Sequence, residues 1–407
     1  MREFSAIDIG SSYVRVLMGR RGDENEVQVN GVGVAPSRGV RNGAIVNIEG
    51  TVQSIQEAAR EAELMSGLVV EDAVVNVTGK HLRGENSRGV VAVTNRDRVV
   101  MESDVLRVIE GAQNIRIPAD QDILHVLSRE FIVDDQSGIR DPIGMTGVRL
   151  EAEVHIVTAG RTAVTNLKKA VNGAGIRILN LVMSSLASAE AVLTSGEKDL
   201  GVAVLDIGSG STDIIMFVEG GVQFSSVVPL GGTHVTQDLS IGLKIPMETA
   251  ESIKKNSGSA QVASVDPIEK IELPALAGRP PRWVLRQEIA AIIEPRMREI
   301  FELVDQELKR SGKKSSLAGG IVLTGGGSRV EGAVGLAEEV FALAARKGLP
   351  QTPGGFSERV EGPEFATAVG LLLSAAATEK REPGRSSSSG TGSGWVQKFK
   401  NWVSENL

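Results

Sequence analysis

Asp206-Ile207-Gly208-Ser209, in the middle of the chain, repeats the four residues Asp8-Ile9-Gly10-Ser11 near its start, at an offset of 206 − 8 = 198 residues. Each copy follows a short apolar run, turns on glycine and serine, and leads into two further runs rich in β-forming residues. A repeat at this spacing predicts two related halves. Each half should begin with a three-strand meander that has an aspartate and a glycine at its first hairpin.

Helices are predicted after each meander. Helical periodicity runs over residues 51–65 in the first half and over residues 233–239 and 247–255 in the second. Residues from about 84 to 158 have no counterpart in the second half and are predicted to form an inserted subdomain. Its expected elements are a strand at 90–93, a helix at 105–115 with Ser103 as N-cap, and strands at 123–133 and 148–157.

The composition excludes several classes of protein. With 44 Lys and Arg against 51 Asp and Glu in 407 residues, the net charge is 44 − 51 = −7, which argues against a surface that neutralises nucleic-acid phosphates. The chain contains no cysteine and only 4 histidines, so a disulfide framework and a cysteine-ligated zinc site are excluded. No apolar run reaches the length of about eighteen residues that a membrane span needs, and we expect neither a span nor a signal peptide.

The two hairpins predict a phosphate-binding site. Glycine lets the backbone approach an anion closely, and successive N–H groups form a nest that binds it. The residues expected at the phosphates are Gly10, Ser11 and Ser12 in the first hairpin and Gly208, Ser209, Gly210 and Ser211 in the second. The carboxylates of Asp8 and Asp206 would repel bare phosphates, so the pattern requires a divalent cation, and Mg²⁺ held largely through its waters fits. Either hairpin alone is also explained as ordinary turn chemistry, but the repeat favours the site.

Further glycines are positioned to complete a nucleotide site. One cluster follows an apolar strand and precedes a predicted helix at 330–342, and the order strand, glycine turn, helix is typical of nucleotide sites. A second pair ends the second meander. These glycines are Gly325, Gly326 and Gly327 in the cluster and Gly231 and Gly232 in the pair. On a later helix, Glu251 and Lys254 could reach a ribose and a base, although each is also compatible with a plain surface position.

Three motifs together resemble the nucleotide motifs of the actin and Hsp70 ATPase superfamily. They are Asp-Ile-Gly-Ser-Ser at 8–12, Val-Leu-Asp-Ile-Gly-Ser-Gly-Ser-Thr-Asp at 204–213 and Ile-Val-Leu-Thr-Gly-Gly-Gly-Ser at 321–328. Within the superfamily, the chain resembles the FtsA family of bacterial cell-division proteins. This closer resemblance is carried by Thr-Gly-Val-Arg at 146–149, Gly-Arg-Pro-Pro-Arg at 278–282, Ile-Glu-Pro-Arg at 293–296 and the amphipathic C-terminus.

The resemblance implies an α/β fold of the actin-like, two-lobe ATPase type. It would have a duplicated core of β-meanders and helices around a nucleotide cleft, an inserted subdomain and a C-terminal amphipathic helix. The implied subdomains are a first inner one (1–83, continued by 160–195 and about 357–377), the insert (84–159), a second inner one (196–227 with 303–356), an outer one (228–302), a linker (378–394) and a terminal helix (395–407).

The resemblance also implies roles for individual residues. Asp8 and Asp206 would lie on the Mg²⁺ side, the hairpin glycines and serines at the phosphates, the 325–327 glycines against adenosine, and Glu251 with Lys254 at the ribose and base. Superfamily hydrolases orient water with a Gln or Glu on the helix before the second phosphate strand. The nearest candidate is Glu190, and Asp206 is the second catalytic candidate. Proteins of this family are considered weak ATPases at most, so ATP binding is expected more firmly than hydrolysis.

The last residues form an aromatic amphipathic pattern. Trp395, Phe399 and Trp402 fall at i, i+4 and i+7, so they share one face of a helix, and Lys398 and Lys400 point elsewhere. The preceding segment is rich in serine and glycine, which is typical of a flexible linker. The pattern predicts a membrane-targeting helix in which hydrophobic insertion outweighs attraction to anionic lipids. The alternative is that this helix docks on the body of the protein.

These features predict a structural function. The chain would be an ATP-dependent, actin-like protein that polymerises on the cytoplasmic face of the membrane at midcell, anchors the tubulin-like division protein FtsZ and helps recruit later division proteins, with the insert as one candidate site. The alternatives are an actin-like pilus assembly protein of the PilM type, a sugar or acetate kinase of the same superfamily, and a chaperone ATPase. The membrane-targeting tail argues against the first two, and the short C-terminal remainder argues against the third.

A basic helix face in the outer subdomain is predicted to bind the C-terminal peptide of FtsZ. The five arginines that motivate this prediction are Arg279, Arg282, Arg286, Arg296 and Arg298. Arg286 and Arg296 would lie about 80° apart on one helix, where two guanidinium groups could grip a carboxylate. The alternative is a solvated face in which the arginines pair with local acids, such as Arg298 with Glu294.

Overall fold

The computed structural model describes residues 3–22, 26–274, 280–351 and 354–379. Up to residue 200 the elements are β1 (Glu3–Ile9), β2 (Tyr13–Arg21), β3 (Val27–Pro36), β4 (Val40–Arg41), β5 (Ala44–Ile45), α1 (Ile48–Ser66), β6 (Asp72–Val77), β7 (Leu82–Ala92), α2 (Glu102–Ala112), β8 (Gln121–Val133), β9 (Gln136–Ile139), β10 (Arg149–Gly160), α3 (Arg161–Gly173), β11 (Arg177–Met183), α4 (Ser184–Val192) and α5 (Ser195–Leu200). Beyond it they are β12 (Val202–Ile207), β13 (Thr212–Val218), β14 (Gly221–Val228), α6 (Gly232–Leu243), α7 (Met247–Ser257), β15 (Lys270–Leu273), β16 (Arg282–Leu285), α8 (Arg286–Arg310), β17 (Ile321–Thr324), α9 (Ala333–Phe341), β18 (Ala345–Lys347) and α10 (Ala366–Glu379).

The two predicted meanders form the centres of two five-stranded sheets. The first lobe has the strand order β11-β6-β1-β2-β3, and the second lobe has the order β14-β13-β12-β17-β18. In each, the first hairpin strand pairs antiparallel with the next strand and parallel with a later one: β1 with β2 and β6, β12 with β13 and β17. Tight turns make the antiparallel pairs, whereas the parallel pairs need helical crossovers. The predicted duplication is therefore confirmed.

The strands of the second sheet are buried on both faces. Along β12, Val202 and Val204 belong to the same hydrophobic core as the first lobe, whereas Ala203 and Leu205 belong to a core with α6, α8 and α9. Alternate side chains of a strand point to opposite faces, so one strand serves two cores. Helices α4 and α10 pack on each other, and α4 also packs on β12 and β13. The lobes are therefore joined through α4.

The insertion forms a separate four-stranded sheet of order β7-β10-β8-β9, with α2 packed on β7 and β10 over a core of its own. The predicted strands and helix are present, but the prediction that Ser103 caps the helix is wrong. Helix α2 begins at Glu102, and the Met101 N–H donates to Asp104 Oδ2 at 2.9 Å. A carboxylate in the first turn thus satisfies the end of the helix two residues earlier than expected, with Met101 instead of Ser103 as the N-cap residue.

Two other helices differ from their predicted ends. Helix α1 begins three residues earlier than predicted because the Asn47 side chain caps it, accepting from the Gly50 N–H at 3.0 Å. The helix predicted at 330–342 is shorter, since Gly326–Arg329 forms a 3₁₀ turn and α9 starts only at Ala333. This turn keeps the glycines at the surface of the sheet instead of inside a helix.

The predicted linker and the aromatic segment with Trp395, Phe399 and Trp402 lie outside the described residues. Within residues 3–22, 26–274, 280–351 and 354–379, no helix combines the length and the apolar character that crossing a membrane would require.

Candidate functional site

A cleft of about 570 Å³ lies between the two lobes, a volume typical of small-ligand sites. Its lining comes from segments that are far apart in the chain: the two meander turns, the 325–327 turn, the N-terminal ends of α4 and α6, the C-terminal end of α7 and the start of α10. The predicted site residues in the lining are Asp8, Gly10, Ser11, Ser12, Asp206, Gly208, Ser209, Gly210, Ser211, Gly232, Glu251, Lys254, Gly325, Gly326 and Gly327. Almost every predicted cofactor residue is therefore brought together in one place.

The hairpin turns are closed by backbone hydrogen bonds and have no room for a side chain at Gly10 or Gly210. The Gly10 N–H donates to the Tyr13 carbonyl at 3.0 Å and the Gly208 N–H to the Ser211 carbonyl at 2.9 Å. A Cβ on Gly10 would lie 2.8 Å from the same carbonyl oxygen, and one on Gly210 would lie 2.8 Å from the Cα of Asn42. The turns therefore present backbone to the cleft, as anion binding requires.

Asp8 and Asp206 lie buried on opposite lobes of the cleft. Asn76 Nδ2 donates to Asp8 at 3.0 Å, and Arg15 Nη1 approaches its other oxygen at 3.3 Å. Burial raises the pKa of Asp8 to about 6, with Arg15 opposing and the Asp206 charge adding to the rise. Burial likewise raises the pKa of Asp206, whose carboxylate accepts from Ser188 on α4 and, at 2.8 Å, from Thr367 on α10. Both carboxylates therefore lack enough charge compensation within the protein.

A third buried carboxylate, Asp213, was not among the predicted site residues. It is the cross-strand partner of Asp206 in the β12–β13 pair and it lines the cleft. Thr78 Oγ1, from the first lobe, donates to its two oxygens at 2.7 and 2.8 Å. Burial, followed by the Asp206 charge, raises the pKa of Asp213 to about 7. The sequence could have revealed Asp213, because it lies opposite Asp206 in the predicted hairpin and residues opposite each other point to the same face of the sheet.

The part of the chain that the structure describes offers the cleft no ready-made cluster of metal ligands. Among the described residues, no group of three or more Asp, Glu or His side chains converges closely enough to bind a metal directly. Three buried carboxylates with raised pKa values nevertheless leave the cleft short of positive charge. This donor set fits a hydrated divalent cation that takes its remaining oxygens from a ligand.

At the outer end of the cleft, Glu251 and Lys254 are held together. Lys254 Nζ donates to the Gly232 carbonyl at 3.0 Å, to Thr236 Oγ1 at 2.8 Å and to Glu251 Oε2 at 2.6 Å. Burial lowers the pKa of Lys254, and the lysine in turn keeps the pKa of Glu251 below its ordinary value against the effect of burial. The pair therefore presents fixed polar groups to the cleft.

The glycines of the third cluster let this turn pack against β12. Gly325 has φ +78, and a Cβ there would lie 2.3 Å from Asp206 Oδ1. A Cβ on Gly327 would lie 2.4 Å from the side chain of Ile207, whereas a Cβ on Gly326 would make only an ordinary contact, with its nearest atom at 3.8 Å. Two of the three glycines are thus required by contact with the strand that carries Asp206.

The structure places Gly231 behind the predicted site instead of in its lining. It does not line the cleft; instead, a Cβ there would lie 2.5 Å from the Gly208 carbonyl oxygen, and the next N–H, of Gly232, donates to the same oxygen at 2.9 Å. Gly231 therefore supports the second hairpin from behind.

Arg15 is a cationic lining residue that the sequence motifs did not single out. Its guanidinium lies 5.2 Å from the centre of the Phe365 ring and 5.7 Å from that of Tyr13. Its Nε is buried without a hydrogen-bond partner. Across the mouth of the cleft, Lys255 Nζ lies 5.8 Å from the Tyr13 ring. Arg15 and Lys255 therefore both lie at the cleft, where each also pairs with a carboxylate, Asp8 for the arginine and Glu251 for the lysine.

The structure contradicts the prediction for Glu190. The side chain is exposed, pairs with Lys198 Nζ at 2.8 Å and does not line the cleft. Helix α4 begins at Ser184, and Ser184 and Ser188, four residues apart, face the site. Glu190 is two residues beyond Ser188, about 200° around the helix, so it points away.

The arginines of α8 are paired with carboxylates instead of forming a free basic face. Arg286 bonds Glu269 at 3.0 Å and also Glu331. Arg296 bonds Asp238 at 2.6 Å and also Glu299, while Arg298 bonds Glu294 at 3.0 Å and Glu339 at 2.9 Å. Arg282 donates to the Leu243 carbonyl, and Arg279 lies outside the described residues. The alternative of local pairing therefore holds for Arg298, and no arginine pair on this helix is left unneutralised.

Comparisons with known proteins agree with this architecture. The family model for the cell division protein FtsA matches residues 203–370, and the model for the SHS2 domain inserted in FtsA matches residues 79–158. The cell division protein FtsA of Pseudomonas aeruginosa is 45% identical over 367 residues, covering 90% of this chain and 88% of the relative. That of Neisseria meningitidis is 43% identical over 407 residues, covering 99% and 98%.

Solved structures of low sequence identity share the fold. The PilM–PilN type IV pilus biogenesis complex has a chain that superposes with a TM-score of 0.66 at 18% identity, covering 92% of this chain and 98% of the other. MreB5 of Spiroplasma citri bound to ADP has a TM-score of 0.55 at 13% identity, covering 94% and 99%. At this level of identity the likeness concerns the fold alone, and it confirms the predicted actin-like class.

Proposed function

Because this chain belongs to the FtsA family of cell-division proteins, we propose that it is an ATP-binding, actin-like protein that polymerises on the cytoplasmic membrane and anchors FtsZ filaments there. The observation that carries the proposal is the cleft between the lobes. There, two glycine hairpins, a third glycine turn and three buried carboxylates meet.

The nucleotide would be held by backbone and by charge. The turns at Gly10 to Ser12 and Gly208 to Ser211 line the cleft. The Gly10 and Gly208 N–H groups close these turns, so the phosphates would be received by the N–H groups that follow them, with Arg15 as a cation beside them. Gly325 to Gly327 would lie against adenosine, with Glu251 and Lys254 at the ribose and base. Mg²⁺, when bound through its waters near Asp8 and Asp206, would neutralise the phosphate charge. With the cation bound, the carboxylates of Asp8 and Asp206 would be ionised. Without it, their raised pKa values favour the protonated form.

The cleft supports nucleotide binding better than fast hydrolysis. The α4 residue that lines it is Ser184, which has neither the carboxylate nor the carboxamide that would orient a water molecule, and Glu190 points away. We therefore expect at most slow ATP turnover, with nucleotide serving to set the conformation for polymerisation.

The membrane attachment rests on the sequence of the C-terminal tail. Trp395, Phe399 and Trp402 would insert into the interface from a helix joined by the linker, and a polymer that presents many tails would bind firmly by effective concentration. Nucleotide-stimulated sedimentation with lipid vesicles tests attachment and polymer formation together. Trp395→Glu and Trp402→Glu should each abolish vesicle binding and keep nucleotide binding. If both variants still sediment with vesicles like the parent, the tail is not the anchor.

The FtsZ site is proposed on the outer subdomain, around Arg286 and Arg296. Both guanidinium groups already bond carboxylates, so a peptide carboxylate would have to exchange with one of them, most easily with the exposed Glu331 or Glu299. Fluorescence anisotropy with a labelled FtsZ C-terminal peptide tests this. The double variant Arg286→Glu, Arg296→Glu should lose binding, and the matched variant Arg298→Glu should keep it. Equal affinity of parent and double variant would move the site elsewhere.

A further inference from the structure

The inserted subdomain (β7 to β10 with α2) meets the rest of the protein at histidines. Of the chain's 4 histidines, three lie at its joints: His81, His125 and His155. His81 precedes β7, and its carbonyl accepts from the Gly160 N–H at the end of β10 at 3.2 Å. The other two histidines each contact a different lobe.

His125, on β8, joins the insert to the first lobe. Its Nε2 accepts from the Met183 N–H at 3.0 Å, and Met183 is the N-cap residue of α4. The next turn of α4 carries Ser184, which accepts from Asn76 at 3.1 Å, and Ser188, which donates to Asp206. The insert therefore bonds the N-cap residue of the helix whose Ser188 hydroxyl donates to Asp206.

His155, on β10, joins the insert to the second lobe. Its Nδ1 lies 2.6 Å from Asn86 Oδ1 on β7, and its Nε2 lies 2.8 Å from Ser225 Oγ on β14. Asn86 Nδ2 donates to the Gln223 carbonyl at 3.0 Å, which fixes the amide so that Oδ1 faces the ring. Nδ1 must then carry the proton, and Nε2 accepts from the Ser225 hydroxyl. Burial lowers the pKa of His155 to about 3, so the ring is neutral at physiological pH.

We propose that the inserted subdomain is a clasp across the two lobes, and that its contact with β14 and nucleotide binding in the cleft stabilise the same closed arrangement. This inference rests on the proposed nucleotide site. The insert is part of the first lobe by chain connection and through His125, so β14 cannot move away with the second lobe unless the His155–Ser225 bond breaks.

Separating the insert from β14 costs free energy because the polar groups at this contact are buried. His155 is 1% exposed and Ser225 5% exposed, so separation leaves buried polar groups without partners until water enters. A salt bridge extends the same contact at the edge, between Arg140 and Asp199. Because coupling between two sites is reciprocal, weakening the clasp must weaken nucleotide binding, and nucleotide must tighten the clasp.

The test measures Mg-ATP affinity in the full chain by calorimetry. His155→Ala should raise the dissociation constant at least about fivefold, the lower end of typical coupling between sites, and Ser225→Ala should act in the same direction. Ser87→Ala is the matched control, since the Ser87 hydroxyl donates to the Ala112 carbonyl inside the insert at 2.7 Å. It should leave affinity unchanged. If His155→Ala does not fold, as judged by circular dichroism, Ser225→Ala decides.

A reversible disulfide provides the second arm, because the chain has no cysteine of its own. A Cβ built on Gly84 lies 2.5 Å from Ser225 Oγ and 2.7 Å from the His155 ring. The triple variant Gly84→Cys, His155→Ala, Ser225→Cys therefore has room for a bond between β7 and β14. Oxidation to the disulfide should restore the parental affinity for Mg-ATP, and reduction of the disulfide should weaken binding again.

Three results are decisive. Parental affinity in His155→Ala and Ser225→Ala, or failure of the disulfide to form in the nucleotide-free protein, would overturn the clasp while the nucleotide site stands. A parent chain that binds no Mg-ATP would instead overturn the proposed function, and the coupling with it.

Discussion

The nucleotide-free protein should lose stability as the pH rises, and Asp213→Asn should remove much of that loss. Asp213 is buried, and its pKa is raised to about 7 from an ordinary value of 3.8. Between these two values the folded protein holds a proton that the unfolded chain has released. Asparagine keeps the shape of the side chain and an oxygen for Thr78, and it is neutral at every pH.

The magnitude can be worked from the shift. A rise of about three pKa units corresponds to about 4 kcal/mol at ~1.4 kcal/mol per unit. Because the folded pKa is raised, the stabilisation from the proton is fully present below pH 3.8 and is lost as pH rises through about 7. At pH 8 the folded parent carries a buried charge, so the variant should be more stable by up to about 4 kcal/mol. At pH 3.5 the two proteins should be alike.

Urea unfolding of the nucleotide-free parent and variant between pH 4 and 8 measures this difference. Asp8, with a pKa of about 6, titrates beside Asp213, so the variant should retain a smaller decline that ends nearer pH 6. Asp122→Asn is the control, because the pKa of Asp122 is shifted in the opposite direction. Its hydrogen bonds from Arg161, at 2.7 and 3.0 Å, lower the pKa of Asp122, so the contribution of that carboxylate to stability is fully present above its ordinary pKa and is lost as the pH falls through the lowered value.

Two results would refute this reasoning. A parent whose stability does not fall between pH 4 and 7 would show that Asp213 is ionised in the fold. A variant that is less stable than the parent at pH 8 would show that the carboxylate has compensation beyond Thr78 and Ser211.

Three further experiments test other parts of the site. Asp206→Ala should weaken Mg-ATP binding at least tenfold in calorimetry, and unchanged affinity would contradict the role of Asp206 at the cation. The melting temperature of the nucleotide-free protein should not fall, because the two hydroxyl partners of Asp206, on Ser188 and Thr367, lie 2.8 Å apart and can bond each other. Gly325→Ala should destabilise the fold by at least ~1–2 kcal/mol, since φ is +78 and the new Cβ meets Asp206, whereas Gly326→Ala should unfold like the parent. Glu190→Gln should leave any ATP turnover unchanged, and a loss of turnover would restore it as a catalytic candidate.

Local features of this fold could be predicted because they depend on near neighbours in the chain. The meanders result from apolar runs separated by turn residues, and the geometry of the glycine hairpins is determined by residues within each turn. Even so, the predicted capping of α2 was wrong, because Asp104 competes with Ser103 for the same helix end.

Features that could not be predicted depend on residues far apart in sequence. Thr78 reaches Asp213 across 135 positions, and Asn76 reaches Asp8 across 68. The orientation of Glu190 was not predicted, because only the contact of Ser188 with Asp206, 18 positions away, shows which face of α4 turns toward the cleft. The arginines of α8 looked like a basic face because Asp238 and Glu331, which neutralise them, come from other elements.

Strand β12, whose alternate side chains enter two different cores, bears on how the protein folds. Neither half can complete its interior before the other is present, since Val204 must meet α4 while Leu205 meets the helices of the second lobe. The chain should therefore melt in a single calorimetric transition for the two lobes, and a fragment that starts at residue 201 should aggregate through the bare face of this strand instead of folding as an independent domain.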